Sequence, residues 1–119
     1  MKLTFLGTGA AFSRQRCNSN LLIEVGEAKV LVDCGWTAMG QLEALGIGAG
    51  DITHVIITHL HADHIGGLEE LAIRAKLQYQ SRPTILSSQS LLERLWGYSL
   101  RGGLEFLEET PGEMTPQVM

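Results

Sequence analysis

Residues 57–67 read ITHLHADHIGG and hold three of the chain's four histidines, with an aspartate, inside the six positions from His59 to His64. The run VIIT (residues 55–58) leads into them. A short, continuous β-branched run predicts a strand covered on both faces. Past its end, residues i and i+2 of an extended segment point the same way, so His59 and His61 can face one point in space. Asp63 and His64 follow as the chain turns toward Gly66 and Gly67. Imidazole nitrogen and carboxylate oxygen both bind Zn²⁺ at roughly 2.0–2.2 Å, and imidazole also suits iron and nickel. Four such groups are more than one tetrahedral ion readily takes from a single loop. The set suits two neighbouring ions, about 3.5–4 Å apart, that share a bridging hydroxide. Sites in open α/β sheets lie at the carboxyl ends of strands, which is where this cluster falls. His54 stands alone ahead of the apolar run and reads as an ordinary polar residue.

Working outward, the rest of the chain reads as alternating sheet and helix. KLTFLG (residues 2–7) has the alternation of a strand. Residues 7–20 are rich in Gly, Ser and Asn and predict a long functional loop. NLLIEV (20–25) and KVLVDC (29–34) predict a hairpin, with Gly26 supplying the positive φ of its turn. WTAMGQLEALG (36–46) predicts a helix with Ala38, Met39, Leu42 and Leu45 on one face. Leu68, Leu71, Ala72, Ala75 and Tyr79 form the apolar stripe of another helix. TILS (84–87) reads as a strand. Leu91, Leu92, Leu95, Trp96 and Tyr98 fall at helical spacing behind Ser88, a candidate N-cap. The tail EETPGEMTPQVM (108–119) reads as irregular. The order argues an α/β fold with a mixed sheet and flanking helices.

Composition narrows the function. With 119 residues, 45% hydrophobic and 18% charged, the chain has the make-up of one globular domain. A net charge of −4 gives no field that would draw in a polyanion, so charge does not support a nucleic-acid substrate. No run of about 20 apolar residues predicts a membrane span. The start, MKLTFLGTGAAF, is too interrupted for a signal peptide. Two cysteines, Cys17 and Cys34, make no disulfide framework, and a cytoplasmic location with both thiols reduced is expected.

THLHADH (residues 58–64) resembles the T-H-x-H-x-D-H signature of the metallo-β-lactamase superfamily. FLGTGAA (5–11), NSNLL (18–22) and LVDCG (31–35) are similar to stretches of its ribonuclease-Z-like and phosphodiesterase-like branch. The resemblance runs from Met1 to about Leu107. It implies an αβ/βα sandwich with metals at one edge. It also implies that His59 and His61 bind a first ion and that Asp63 and His64 bind a second. Zinc is the expected metal, with manganese or iron as alternatives. Asp63 would help position the nucleophile, Asp33 would orient a ligand histidine, and Gly7, Thr8 and Gly9 would shape the first loop. The implied activity is hydrolysis of a phosphodiester or phosphate ester by a metal-bound hydroxide.

The family's domain has two similar halves, and the second completes the metal shells. Here no histidine follows His64 and no aspartate follows Asp63. The expectation for residues 1–119 is therefore one N-terminal half-domain, with the second half absent. Its sheet face would be covered by a second copy, as a homodimer, or by the missing C-terminal half. The competing expectation is a catalytically inactive half-domain that folds and self-associates.

Overall fold

A computed structural model describes residues 1–110 of the chain. Five strands form one mixed sheet in sequence order: β1 (Lys2–Gly7), β2 (Asn20–Val25), β3 (Ala28–Val32), β4 (His54–Ile56) and β5 (Thr84–Leu86). The first three pair antiparallel, and β3, β4 and β5 pair parallel. The antiparallel part follows from the hairpin, where Gly26 takes φ 57°, a conformation that costs a side-chain-bearing residue far more. The parallel part needs helical crossovers. These are α1 (Ala38–Ala44) between β3 and β4, and α2 (Ala62–Ile65) with α3 (Leu68–Tyr79) between β4 and β5. Beyond β5 run α4 (Gln89–Leu95), a π-helical turn at Trp96–Leu100, α5 (Arg101–Leu104) and a 3₁₀ turn at Glu105–Leu107.

The helices cover one face of the sheet. Leu22, Leu31 and Val55 lie side by side in register on that face and are fully buried. They pack with Leu42 of α1, Leu71 of α3 and Leu95 of α4. The opposite face carries Leu3, Ile23 and Val30 in one register row, and Phe5, Leu21, Val32, Ile56 and Leu86 in the next. Phe5 is 70% exposed and Leu3 52%, so among the described residues nothing covers this apolar face. The two-sided cover expected for β4 is thus absent: Val55 is buried, while His54 and Ile56 are half-buried. The strand is also shorter than the run VIIT suggested, although its ladder continues at both ends through Thr53 N–H to Lys29 O and Ile57 N–H to Leu86 O.

Two helices differ from expectation. Leu45 caps α1 and is half-exposed instead of extending its buried face. The π-helical turn after α4 shifts the helical face, so Leu100 and Leu104 enter the core and Tyr98 is left 84% exposed. Ser88 caps α4 as expected, its Oγ accepting from Leu91 N–H at 3.3 Å. Ser88→Ala should cost about 1 kcal/mol in urea unfolding, the usual worth of an N-cap. Most of the expected irregular tail lies outside the described residues.

Candidate metal centre

The histidine loop leaves the C-terminal end of β4, and alternation fixes its side chains. Leu60 and Ile65 pack against the core. With Leu60 turned inward, His59 and His61 both face outward, and their rings meet edge-on with centroids 4.8 Å apart. His61 is the N-cap of the short helix α2, which the sequence did not announce. The first turn of α2 carries Asp63, and its last residues bring His64 back against His59, centroid to centroid at 4.0 Å.

Asp33 sits behind the histidines, just past β3, buried and in the left-handed region at φ 62°. That conformation is uncommon for a residue other than glycine, although Asp tolerates it better than most. Its N–H donates to Ile56 O at 2.8 Å, which ties it to the end of β4. Its Oδ1 accepts from Thr58 N–H at 2.9 Å, and its Oδ2 accepts from the Thr58 hydroxyl at 2.7 Å. The same Oδ2 lies 2.7 Å from His64 Nδ1. One ligand-type atom each from Asp33, His59 and His64 falls within 4.8 Å of the others, a group able to hold an ion.

The surroundings of His64 say most about the chemistry. Its Nδ1 donates to the Asp33 carboxylate, and its Nε2 lies 3.1 Å from Asp63 Oδ2. A neutral imidazole has one proton, and the carboxylates can only accept. With the proton committed to Asp33, the Nε2 lone pair faces an anionic oxygen. A bound cation between the two atoms would satisfy that pairing, as would a second proton on the ring. Two ligands about 2.1 Å from a tetrahedral ion sit about 3.4 Å apart, close to this separation. The donor set therefore fits a divalent metal.

Two buried asparagines hold the neighbouring backbone. Asn20 Oδ1 accepts from Gly35 N–H at 2.8 Å, and Asn18 N–H donates to Thr37 Oγ1 at 2.9 Å. They fasten the first loop to the turn after β3. That turn in turn holds α2, because Cys34 N–H donates to His64 O at 2.8 Å. The Cys34 thiol is pushed up to about 12, first by burial and then by the negative charges of Glu70 and Asp33. A thiol held neutral this way is a packing group.

Pairwise contacts link all five expected site residues at the carboxyl ends of β3 and β4, but the group whose ligand atoms lie within 4.8 Å of one another is Asp33, His59 and His64, without His61 and Asp63. His54 stays apart in β4, its Nδ1 against Thr53 Oγ1 at 2.8 Å. Sequence reasoning assigned no role to Thr58, Asn18 or Asn20. Their only signal was membership in the quoted motifs.

A mixed sheet with helices on one face and this loop at the carboxyl ends of its parallel strands is one half of a metallo-β-lactamase fold. Solved structures of that class agree. Human tRNase Z, short form, superposes with TM-score 0.72 at 35% identity, over 90% of this chain and 40% of that one. The metallo-β-lactamase fold protein YhfI from Bacillus subtilis superposes with TM-score 0.71 at 20% identity, over 98% of this chain and 44% of that one.

Within that class, the family model described as Anti-Pycsar protein Apyc1 matches residues 1–116, and the chain belongs to this family. An Anti-Pycsar protein Apyc1 of Paenibacillus sp. (strain J14) is 43% identical over 104 residues, 87% of this chain and 42% of that protein. One from Bacillus phage 010DV004 is 42% identical over 111 residues, 92% of this chain and 43% of that protein. The chain thus spans under half the length of these curated relatives. The motifs had pointed to the metallo-β-lactamase superfamily, whose fold the solved structures support; the Anti-Pycsar family is one the motifs did not name.

Proposed function

We propose that this chain carries the first half of a metal-dependent phosphodiester hydrolase centre. The observation that supports it most is His64, held between two carboxylates and grouped with Asp33 and His59 in a set able to hold an ion. His59 and His61 would hold one ion, and Asp63 and His64 a second, with zinc first and manganese or iron as alternatives. A bound ion would supply Lewis acidity toward a phosphoryl oxygen and a water acidic enough to give hydroxide near neutral pH. The chain's own residues do the rest. Asp33 fixes the ring of His64, and Leu60 keeps His59 and His61 turned toward the site. Asp63 offers a carboxylate oxygen to orient the attacking water and hold its proton.

A second reading is supported by the bare sheet face. Exposed apolar patches of this kind mark interfaces. We propose that a protein partner covers it, either a second copy or a C-terminal half like that of the longer relatives. A half-domain that only folds and associates, without catalysis, is the alternative function. The two unpaired cysteines suit the cytoplasmic location we favour. No helix among the described residues is long and apolar enough to cross a membrane.

The deciding assay is release of 4-nitrophenol from bis(4-nitrophenyl) phosphate by the purified chain supplied with Zn²⁺ or Mn²⁺. Cyclic mononucleotides would serve as second substrates. The hydrolase reading expects turnover that chelator abolishes and that Asp63→Asn removes. Metal uptake without turnover would leave the inactive half-domain as the function of this chain.

A further inference from the structure

We infer that Thr58 is a positioning residue: through its hydroxyl the carboxylate of Asp33, which holds His64 directly, also orients His59. The inference deepens the metal reading above and rests on it for its functional meaning, but not for its geometry.

The protons can be placed one at a time. Asp33 Oδ1 accepts the Thr58 backbone N–H at 2.9 Å, and Oδ2 accepts the Thr58 hydroxyl at 2.7 Å. The hydroxyl has one proton, and the carboxylate has taken it. Thr58 Oγ1 also lies 2.9 Å from His59 Nδ1. That contact must then run from His59 Nδ1–H to the hydroxyl oxygen. On the other side, His64 Nδ1–H donates to Asp33 Oδ2 at 2.7 Å. Both imidazoles thus carry their proton on Nδ1 and keep the Nε2 lone pair. The hydrogen bond that one ring nitrogen makes decides which nitrogen can bind a metal.

Threonine suits this joint for two reasons. Its backbone N–H and hydroxyl grip both oxygens of Asp33 at once, which locks the residue that precedes His59. Its β-branched side chain is stiff at χ1, so the hydroxyl holds its direction between donor and acceptor. The third possible reason, that the position merely wants a β-branched shape to end the strand, is separable by substitution. Valine keeps that shape and loses the hydroxyl; serine keeps the hydroxyl and loses the methyl.

The test compares wild type, Thr58→Ser and Thr58→Val in two measurements. The first is the long-range ¹H–¹⁵N spectrum of the histidine rings in metal-free protein. The expected result is Nδ1–H for His59 and His64 in wild type and Thr58→Ser. In Thr58→Val, His59 should move toward the Nε2–H form while His64 stays. The second is Zn²⁺ affinity by competition with a chromophoric chelator. Thr58→Val should lose about 10–100-fold, and Thr58→Ser should stay within a few-fold of wild type. An unchanged His59 tautomer in Thr58→Val overturns the inference, as does valine binding zinc like wild type. If wild type shows the expected tautomers but takes up no metal, the metal reading fails and the relay stands.

Discussion

Asp33→Ala is expected to lower stability by about 3 kcal/mol or more and to weaken metal binding about 10–100-fold. Three donors depend on this one buried carboxylate: Thr58 N–H, the Thr58 hydroxyl and His64 Nδ1–H. Each donor left without a partner costs about 1–3 kcal/mol where water cannot replace it, and Thr58 is exposed enough for water to recover part of that. Alanine at φ 62° adds backbone strain of about 1–2 kcal/mol that aspartate bears more easily. Asp33→Asn separates the effects. Asparagine tolerates the backbone and fills the space, yet it offers one acceptor oxygen where aspartate offers two. It should recover much of the stability and little of the metal affinity. Urea unfolding and zinc titration of the two variants read the two quantities. Equal metal affinity in all three proteins would remove Asp33 from the site.

Gly35→Ala should disturb the centre without replacing any residue that faces it. A Cβ at Gly35 would fall on the Asp63 carbonyl oxygen and 2.6 Å from Asn18 Oδ1. The Asp63 carbonyl is backbone at the start of α2, so it cannot swing aside as a side-chain tip could. The loop carrying Asp63 and His64 must move instead. Overpacking of this kind costs about 1–3 kcal/mol. The displacement should also part Asp63 Oδ2 from His64 Nε2, so metal affinity should fall by more than the loss of stability alone would suggest. Gly40→Ala is the control, since a Cβ there meets nothing within 4 Å. Binding by Gly35→Ala as tight as by Gly40→Ala would show that the loop absorbs the methyl.

These two positions also mark what the sequence could and could not convey. The His59–His61 spacing foretold that the two rings would meet because i, i+2 alternation is a property of any extended chain, and Leu60 between them is an apolar anchor visible in the sequence. The hairpin was legible in Gly26 and its flanking β-rich runs. Asp33 was placed by resemblance alone. Nothing in LVDCG tells that its carboxylate reaches Thr58 and His64, which lie 25 and 31 residues further on. The close approach of Gly35 to Asp63 is likewise a contact between distant segments, with no local pattern to report it. The π-helical turn at Trp96–Leu100 escaped because a spacing of 3.6 continues through Tyr98 on paper, while the core takes Leu100 and Leu104 instead. The bare sheet face was foreseen from a half-length domain, and the register rows through Phe5 and Leu3 now give it residues.

In the proposed centre, this loop binds metal through His59, His61, Asp63 and His64. Native mass spectrometry of the purified chain, with Zn²⁺ supplied and then removed by chelator, tests it most directly and reports the oligomeric state in the same spectrum. At least one ion per chain is expected, lost to chelator and absent from a His59→Ala, His64→Ala double variant that remains folded by circular dichroism. A folded wild-type chain that takes up no more zinc than the double variant would contradict it.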